Sequence, residues 1–250
     1  MPRNRTASAA LLALALALPA QGDTFADLRA ALATLKGSSP LHATWSTAEV
    51  NDTEGRFANF KTDVSTSVEV TRDAAGLHVV LTPTVLAQMA VEGSRNPDSI
   101  RNANRQATKN VSLVNVADSL DYSDYLIGVL RRGTVVREQK GTWQQRPVRI
   151  LVLAMKEERE KEGFHIGDVK YLEDQMTLWI GDDNLPLAAA RSQKISAGFL
   201  IFRGTSTRKQ HWSFVRSGDS LVLAVYEDQT TFSGMGQHGN GTTRQTVALH

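Results

Sequence analysis

A run of short segments rich in β-branched and aromatic residues, from His165 to Tyr226, restricts this chain more than any other stretch. DVKYLEDQMTLWI, LPLAAARSQKI, AGFLIF, HWSFVR and SLVLAVY are separated by GDDN, S, RGTSTRKQ and SGD, the pattern of an antiparallel meander of four or five strands. Gly181-Asp182-Asp183-Asn184 offers residues that tolerate positive φ or bond back to their own backbone, which predicts a tight hairpin between Ile180 and Leu185.

The same period of two appears earlier. LHATWSTAEV, GRFANFKTD, VSTSVEVTR and LHVVLT read as four strands between Leu41 and Thr82, with turns at Asn51-Asp52, Asp63 and Asp73 to Gly76. Before them, TFADLRAALATLK places Phe25, Leu28, Leu32 and Leu35 on one helical stripe, with Asp23 or Thr24 as cap and Gly37 as stop. Between Pro83 and Arg132 the signal turns helical. Val85, Leu86, Met89 and Ala90 form one stripe, and Asn96-Pro97-Asp98 reads as a cap. Leu120, Leu126, Ile127, Val129 and Leu130 form another stripe, stopped by Gly133, while RNANRQATKN is polar all round. Seven or eight more strands follow. The fold class is α+β: an open, curved antiparallel sheet, a half-barrel, with the N-terminal helix and the 83–132 insertion covering its concave side.

Residues 1–20 read as a signal peptide: Arg3 and Arg5, an Ala/Leu run from Ala9 to Leu18, then Leu18-Pro19-Ala20. The run is shorter than the roughly 20 residues a spanning helix needs, so the expectation is export to a periplasm, with no integral membrane segment and no lipid anchor. Residues 21–250 form one domain. Of 28 Lys+Arg and 26 Asp+Glu, setting aside Arg3 and Arg5 leaves 26 of each. A neutral mature chain carries no electrostatic argument for nucleic acid. The chain has no cysteine, so stability in an oxidising compartment rests on the core.

Chemistry-bearing motifs fail on context. Gly234-Met235-Gly236-Gln237-His238-Gly239 matches GxGxxG but lies outside any βαβ unit. His42, His78, His165, His211, His238 and His250 are scattered without ligand spacing, so no metal and no cofactor are expected. Asp182 and Asp183 sit in a turn, and the glutamates of KEEREKEG alternate with lysine and arginine as in a solvated hairpin tip. No GxSxG elbow supports an exported hydrolase, and no enzyme is expected.

The strongest functional signal is apolar. In AGFLIF and SLVLAVY both strand faces carry apolar side chains, so something must cover both sides. Either helices cover one face and a strand or partner the other, or a cavity open to lipid lies between sheet and helices. Met89, Leu126, Met176, Leu178, Phe199, Leu200, Ile201, Phe202, Leu221, Leu223 and Val225 are the candidate wall residues.

LRAALATLKGSSPLHATWSTAE, a helix leading through a short polar link into a strand, and LWIGDDNLPLAAARSQK, a strand, acidic turn and returning strand, resemble the LolA-like family of periplasmic lipoprotein carriers. The resemblance extends in topology over Asp23 to Leu249. It implies a half-barrel whose helices close over an apolar cavity holding lipid or lipoprotein acyl chains for transport to the outer membrane. The insertion from Pro83 to Arg132 departs from the carrier pattern, and no single arginine matches the one that anchors the carrier's helices. The alternative is an envelope interaction or sensor module whose groove is filled by its own side chains and which recognises another envelope protein.

Overall fold

The computed structural model describes residues 23–56, 59–87, 111, 113–156, 168–199, 202–234 and 236–250. The leader, Asn96-Pro97-Asp98, RNANRQATKN and most of KEEREKEG lie outside them. Helix α1 (Thr24–Ala33) starts at Asp23, whose carboxylate accepts from the backbone N–H groups of Phe25 and Ala26 at 3.0 and 3.2 Å, satisfying two of the donors a helix start leaves open. Three strands follow: β1 (Leu41–Gly55), β2 (Phe60–Asp73) and β3 (Gly76–Leu81). Residues 83–87 are helical, then come α2 (Leu113–Leu120) and α3 (Ser123–Arg132). Seven further strands complete the chain: β4 (Gly133–Trp143), β5 (Arg146–Met155), β6 (Asp168–Ile180), β7 (Pro186–Phe199), β8 (Phe202–Ser217), β9 (Ser220–Gly234) and β10 (Gln237–Leu249).

All ten strands form one antiparallel sheet in the order β3-β2-β1-β10-β9-β8-β7-β6-β5-β4. The meander expected from His165 to Tyr226 is present as β6 to β9, the same neighbour order runs from β4 to β10, and β10 then pairs with β1, Val247 opposite Trp45. The chain between β3 and β4 therefore joins one edge of the sheet to the other. At its described end, α2 lies against β9 and α3 against α1.

Several boundaries differ from the expectation. The early region has three strands, because Asn51-Asp52 and Asp63 pair within β1 and β2 instead of turning. Asn51 lies opposite Gly241, and a Cβ there would meet its Oδ1 at 2.5 Å, so the short polar side chain occupies the space the glycine leaves. LPLAAARSQKI and AGF form one strand, and RGTSTRKQ is part of β8. Polar runs read as loops in a sequence, yet a strand within a wide sheet obtains both neighbours regardless. Gly133 is an extended β4 residue, not a left-handed helix stop, and Leu153 takes the room its missing side chain leaves.

The predicted Gly181–Asn184 hairpin is present. Gly181 N–H donates to the Leu185 carbonyl at 2.9 Å, Leu185 N–H donates to the Asp183 carboxylate at 3.1 Å, and Asn184 takes φ +62°. Two apolar clusters fill the space between sheet and helices. One joins Leu28 and Leu32 of α1 with Leu126, Val129 and Leu130 of α3 over β5 to β9. The other places Val116 and Leu120 of α2 over Leu41, Trp45, Val68, Val70 and Val247.

Candidate functional site

Pairing defines two faces. On the helix-bearing face, Leu178, Ala189, Trp212 and Tyr226 form one row across β6 to β9. Trp212 Nε1–H donates to the Tyr122 hydroxyl at 2.9 Å, and Tyr122 N–H to the Leu221 carbonyl at 2.8 Å, which locks the start of α3 to the sheet. Burial, with Tyr125 beside it, pushes the Tyr122 phenol well above its ordinary range. Of the candidate wall residues, Leu126, Met176, Leu178, Leu221 and Leu223 are brought together here, each at most 2% exposed, in one packed cluster. Val225 lies half-buried on β9 beyond it. Phe199 and Phe202 face each other across the β7–β8 hairpin in the backbone ladder; Met89, Leu200 and Ile201 lie outside the described residues.

One and two rows further along the strands the same face becomes polar. Arg191 meets Asp174 through Nε and Nη2 at 2.7 and 2.6 Å, and Gln193 Nε2 donates to the same carboxylate at 3.0 Å. Arg208 donates to both Asp228 oxygens through Nε, at 3.0 and 2.9 Å. Asp228 also accepts from Tyr226 OH at 3.0 Å, and Tyr226 OH accepts from Gln210 Nε2 at 2.8 Å. Burial works against the Arg191 charge but the Asp174 bonds outweigh it, so its pKa rises; the Asp228 bond raises that of Arg208. Burial and then the Asp228 charge push the Tyr226 phenol up to about 12. These are diagonal cross-strand pairs that neutralise each other. Sequence patterning misses them because RSQK and TRKQHW look like ordinary solvated segments.

On the opposite face, the described helices α1 to α3 are absent, and the helical turn 83–87 lies only over the β1–β2 end, beside Ser46, Ser67 and Thr246. Thr177, Ala190, His211, Glu227 and Arg244 form one row across β6 to β10; Gln175, Ser192, Lys209, Gln229 and Thr242 form the next. Between longer side chains on β6 and β8, β7 presents only Ala188, Ala190 and Ser192. The result is a depression of about 320 Å³ centred on Ala190. At its border the Trp143 ring lies 4.9 Å from Trp179 and 5.7 Å from His211, the latter stacked at 27°. Trp143 is on β4, four strands from His211 on β8. Strands spaced about 4.8 Å apart would put them about 19 Å apart in a flat sheet, so the β4–β5 end curls over this face. Val148 and Val152 are buried on it in consequence, at 6% and 2%. No signal short of the pairing register could have located this depression: AAARS shows only that small side chains are present.

Among the described residues, no group of three or more His, Asp or Glu could hold a metal, and no helix is long and apolar enough to cross a membrane.

The chain matches no family model and no curated protein. Among solved structures, a DUF1329 family protein from Desulfovibrio piger aligns over 90% of this chain and 91% of its own at 7% identity, with a TM-score of 0.30. MucB in complex with MucA(peri) aligns over 89% and 93% at 8% identity, with a TM-score of 0.22. Similarity to these two chains is thus confined to a low-scoring overlay, and the site reading rests on the sheet itself: a filled, helix-bearing face and an open face with a bordered depression.

Proposed function

We propose that this chain is an exported, non-catalytic binding module in which the space between sheet and helices α1 to α3 is structural filling, and recognition takes place on the opposite face at the Ala190 depression. One observation supports this above the others: Leu126, Met176, Leu178, Leu221 and Leu223 are at most 2% exposed against one another, whereas the opposite face holds an open depression of about 320 Å³, within the range of small-molecule sites. Binding there needs no covalent step. Export follows from the basic and then apolar order of residues 3–20.

The lipid-carrier reading keeps one observation in its favour. Met176, Leu178, Leu221 and Leu223 belong to one apolar cluster roofed, among the described residues, by α1 and α3, and tilting those helices would expose it. Native mass spectrometry of the protein taken from membrane extracts separates the two, with Ala190→Leu as the control that fills the depression. The expected result is no stoichiometric lipid adduct, and ligand binding that Ala190→Leu abolishes. A lipid adduct retained in full by Ala190→Leu moves the site back beneath the helices.

A further inference from the structure

We infer that the Ala190 depression takes a small organic anion, its carboxylate or phosphoryl head at Lys209 and His211 and its apolar body along Ala190 toward Trp179. The inference rests on the reading of this depression as the binding site and adds the ligand's chemistry. Among the charged groups facing the depression, Glu227 is already engaged, its Oε1 2.7 Å from Arg244 Nη1. Arg191, which lines the floor, is held from the other face by Asp174 at 2.6 Å. Lys209 makes no ion pair among the described residues and stands two residues along β8 from His211, on the same face. The depression therefore carries one uncompensated positive charge.

The uncharged neighbours can also serve an anion. Gln175, Thr177, Ser192 and Gln229 each bring an amide or hydroxyl able to donate, as the His211 ring does. An ammonium meeting an anion makes a charge-assisted bond about twice as strong as a neutral one. Toward β6 the lining changes from polar to aromatic. Trp179 follows Thr177 on the same face, and the Trp143 ring, stacked on His211, closes the border. A flat apolar body packs against such rings by offset stacking. A cationic ligand would meet Lys209 with like charge, and a wholly apolar one would leave Lys209 and the four donors without partners in the bound state.

Isothermal titration of the purified full chain with four compounds sharing one body tests this: 2-naphthoate, 2-naphthyl phosphate, 2-naphthol and (2-naphthyl)trimethylammonium. The two anions should bind at least about tenfold tighter than the alcohol, the loss expected on removing one charge-assisted bond, and the cation should not bind. Lys209→Gln should reduce anion affinity about tenfold while leaving the alcohol unchanged, with an unaltered thermal unfolding curve showing that the fold survives. Equal binding of all four compounds, abolished by Ala190→Leu, overturns the anion inference but leaves the depression as the site. Anion binding that persists in Ala190→Leu overturns both, and preference between carboxylate and phosphate distinguishes the two head-group sources.

Discussion

Ala189 and Ala190 are neighbours on β7, yet Ala189 is fully buried beside Trp212 under the helices and Ala190 floors a depression open to solvent. The same contrast separates two tryptophans. Trp212 is 1% exposed, its indole N–H satisfied by Tyr122; Trp179 lies half-buried on the other face against Trp143. Alternation along a strand thus divides two jobs between adjacent residues. One face is shaped by what the helices bring to it, and the other is left to what the β4–β5 curl and the small residues of β7 make of it.

The largest expected effect tests that division directly. Trp212→Ala should cost about 3–5 kcal/mol in urea unfolding, the range for an aromatic side chain removed from a packed core, and Trp179→Ala less than half of the Trp212 value. Equal losses would mean that both faces are core and would remove the basis for a binding face. A smaller effect probes the polar end of the helix-bearing face. Asp174→Ala leaves the Arg191 guanidinium, 13% exposed, without its carboxylate and should cost about 3 kcal/mol, as for other broken buried pairs. The double variant Asp174→Leu with Arg191→Met should recover most of that loss, because two well-packed apolar side chains leave no charge stranded. Failure to recover would show that the pair contributes more than mutual neutralisation.

The smallest effect lies where the link after α1 is tied to the β8–β9 turn. The Asp219 carboxylate accepts from Ser38 N–H at 3.1 Å, Ser38 Oγ at 2.6 Å and Ser39 N–H at 2.7 Å, joining the link after α1 to the β8–β9 turn. Hydrogen bonds from Ser38 and Ser39 hold this exposed carboxylate well below the usual range. A depressed folded-state pKa gives stability that is fully present above the unfolded value of about 4 and is lost as pH falls through the lower folded value. The Tm difference between wild type and Asp219→Asn should therefore be constant from about pH 7 to 5 and shrink below about pH 4. A difference that does not change with pH would assign the effect of the substitution to geometry instead of charge. Backbone supports the same tie, since Gly218 takes φ +59° and a Cβ there would lie 2.3 Å from Ser39 Oγ.

Much of the scaffold was legible. The period of two in VSTSVEVTR became β2, where Val68 and Val70 are fully buried. The stripe of α1 put Leu28 and Leu32 in the core, and GDDN made its turn. Boundaries were less so: Asn51, Asp63 and RGTSTRKQ carry turn chemistry, but two strand neighbours supply backbone partners that a local reading does not see. For the candidate site, the apolar run SLVLAVY does bury residues of both faces, Leu221, Val222 and Leu223, while Leu200 and Ile201 of AGFLIF lie outside the described residues; Met176, Leu178, Leu221 and Leu223 converge in one cluster. They converge as filling, because Leu126, Val129 and Leu130 of α3 are long enough to reach them. Nothing local to either segment specifies that distance.

By itself, then, the sequence determined which segments extend, which coil, and that one face of most strands must be covered, since hydrophobic periodicity is a property of neighbours in the chain. Only the tertiary structure decided that β10 closes onto β1, that the 83–132 connection crosses from edge to edge, and that Ala190 and Lys209 share a depression bordered by Trp143. Those depend on register and curl across five strands, quantities set by all the pairings together and written in none of the segments alone.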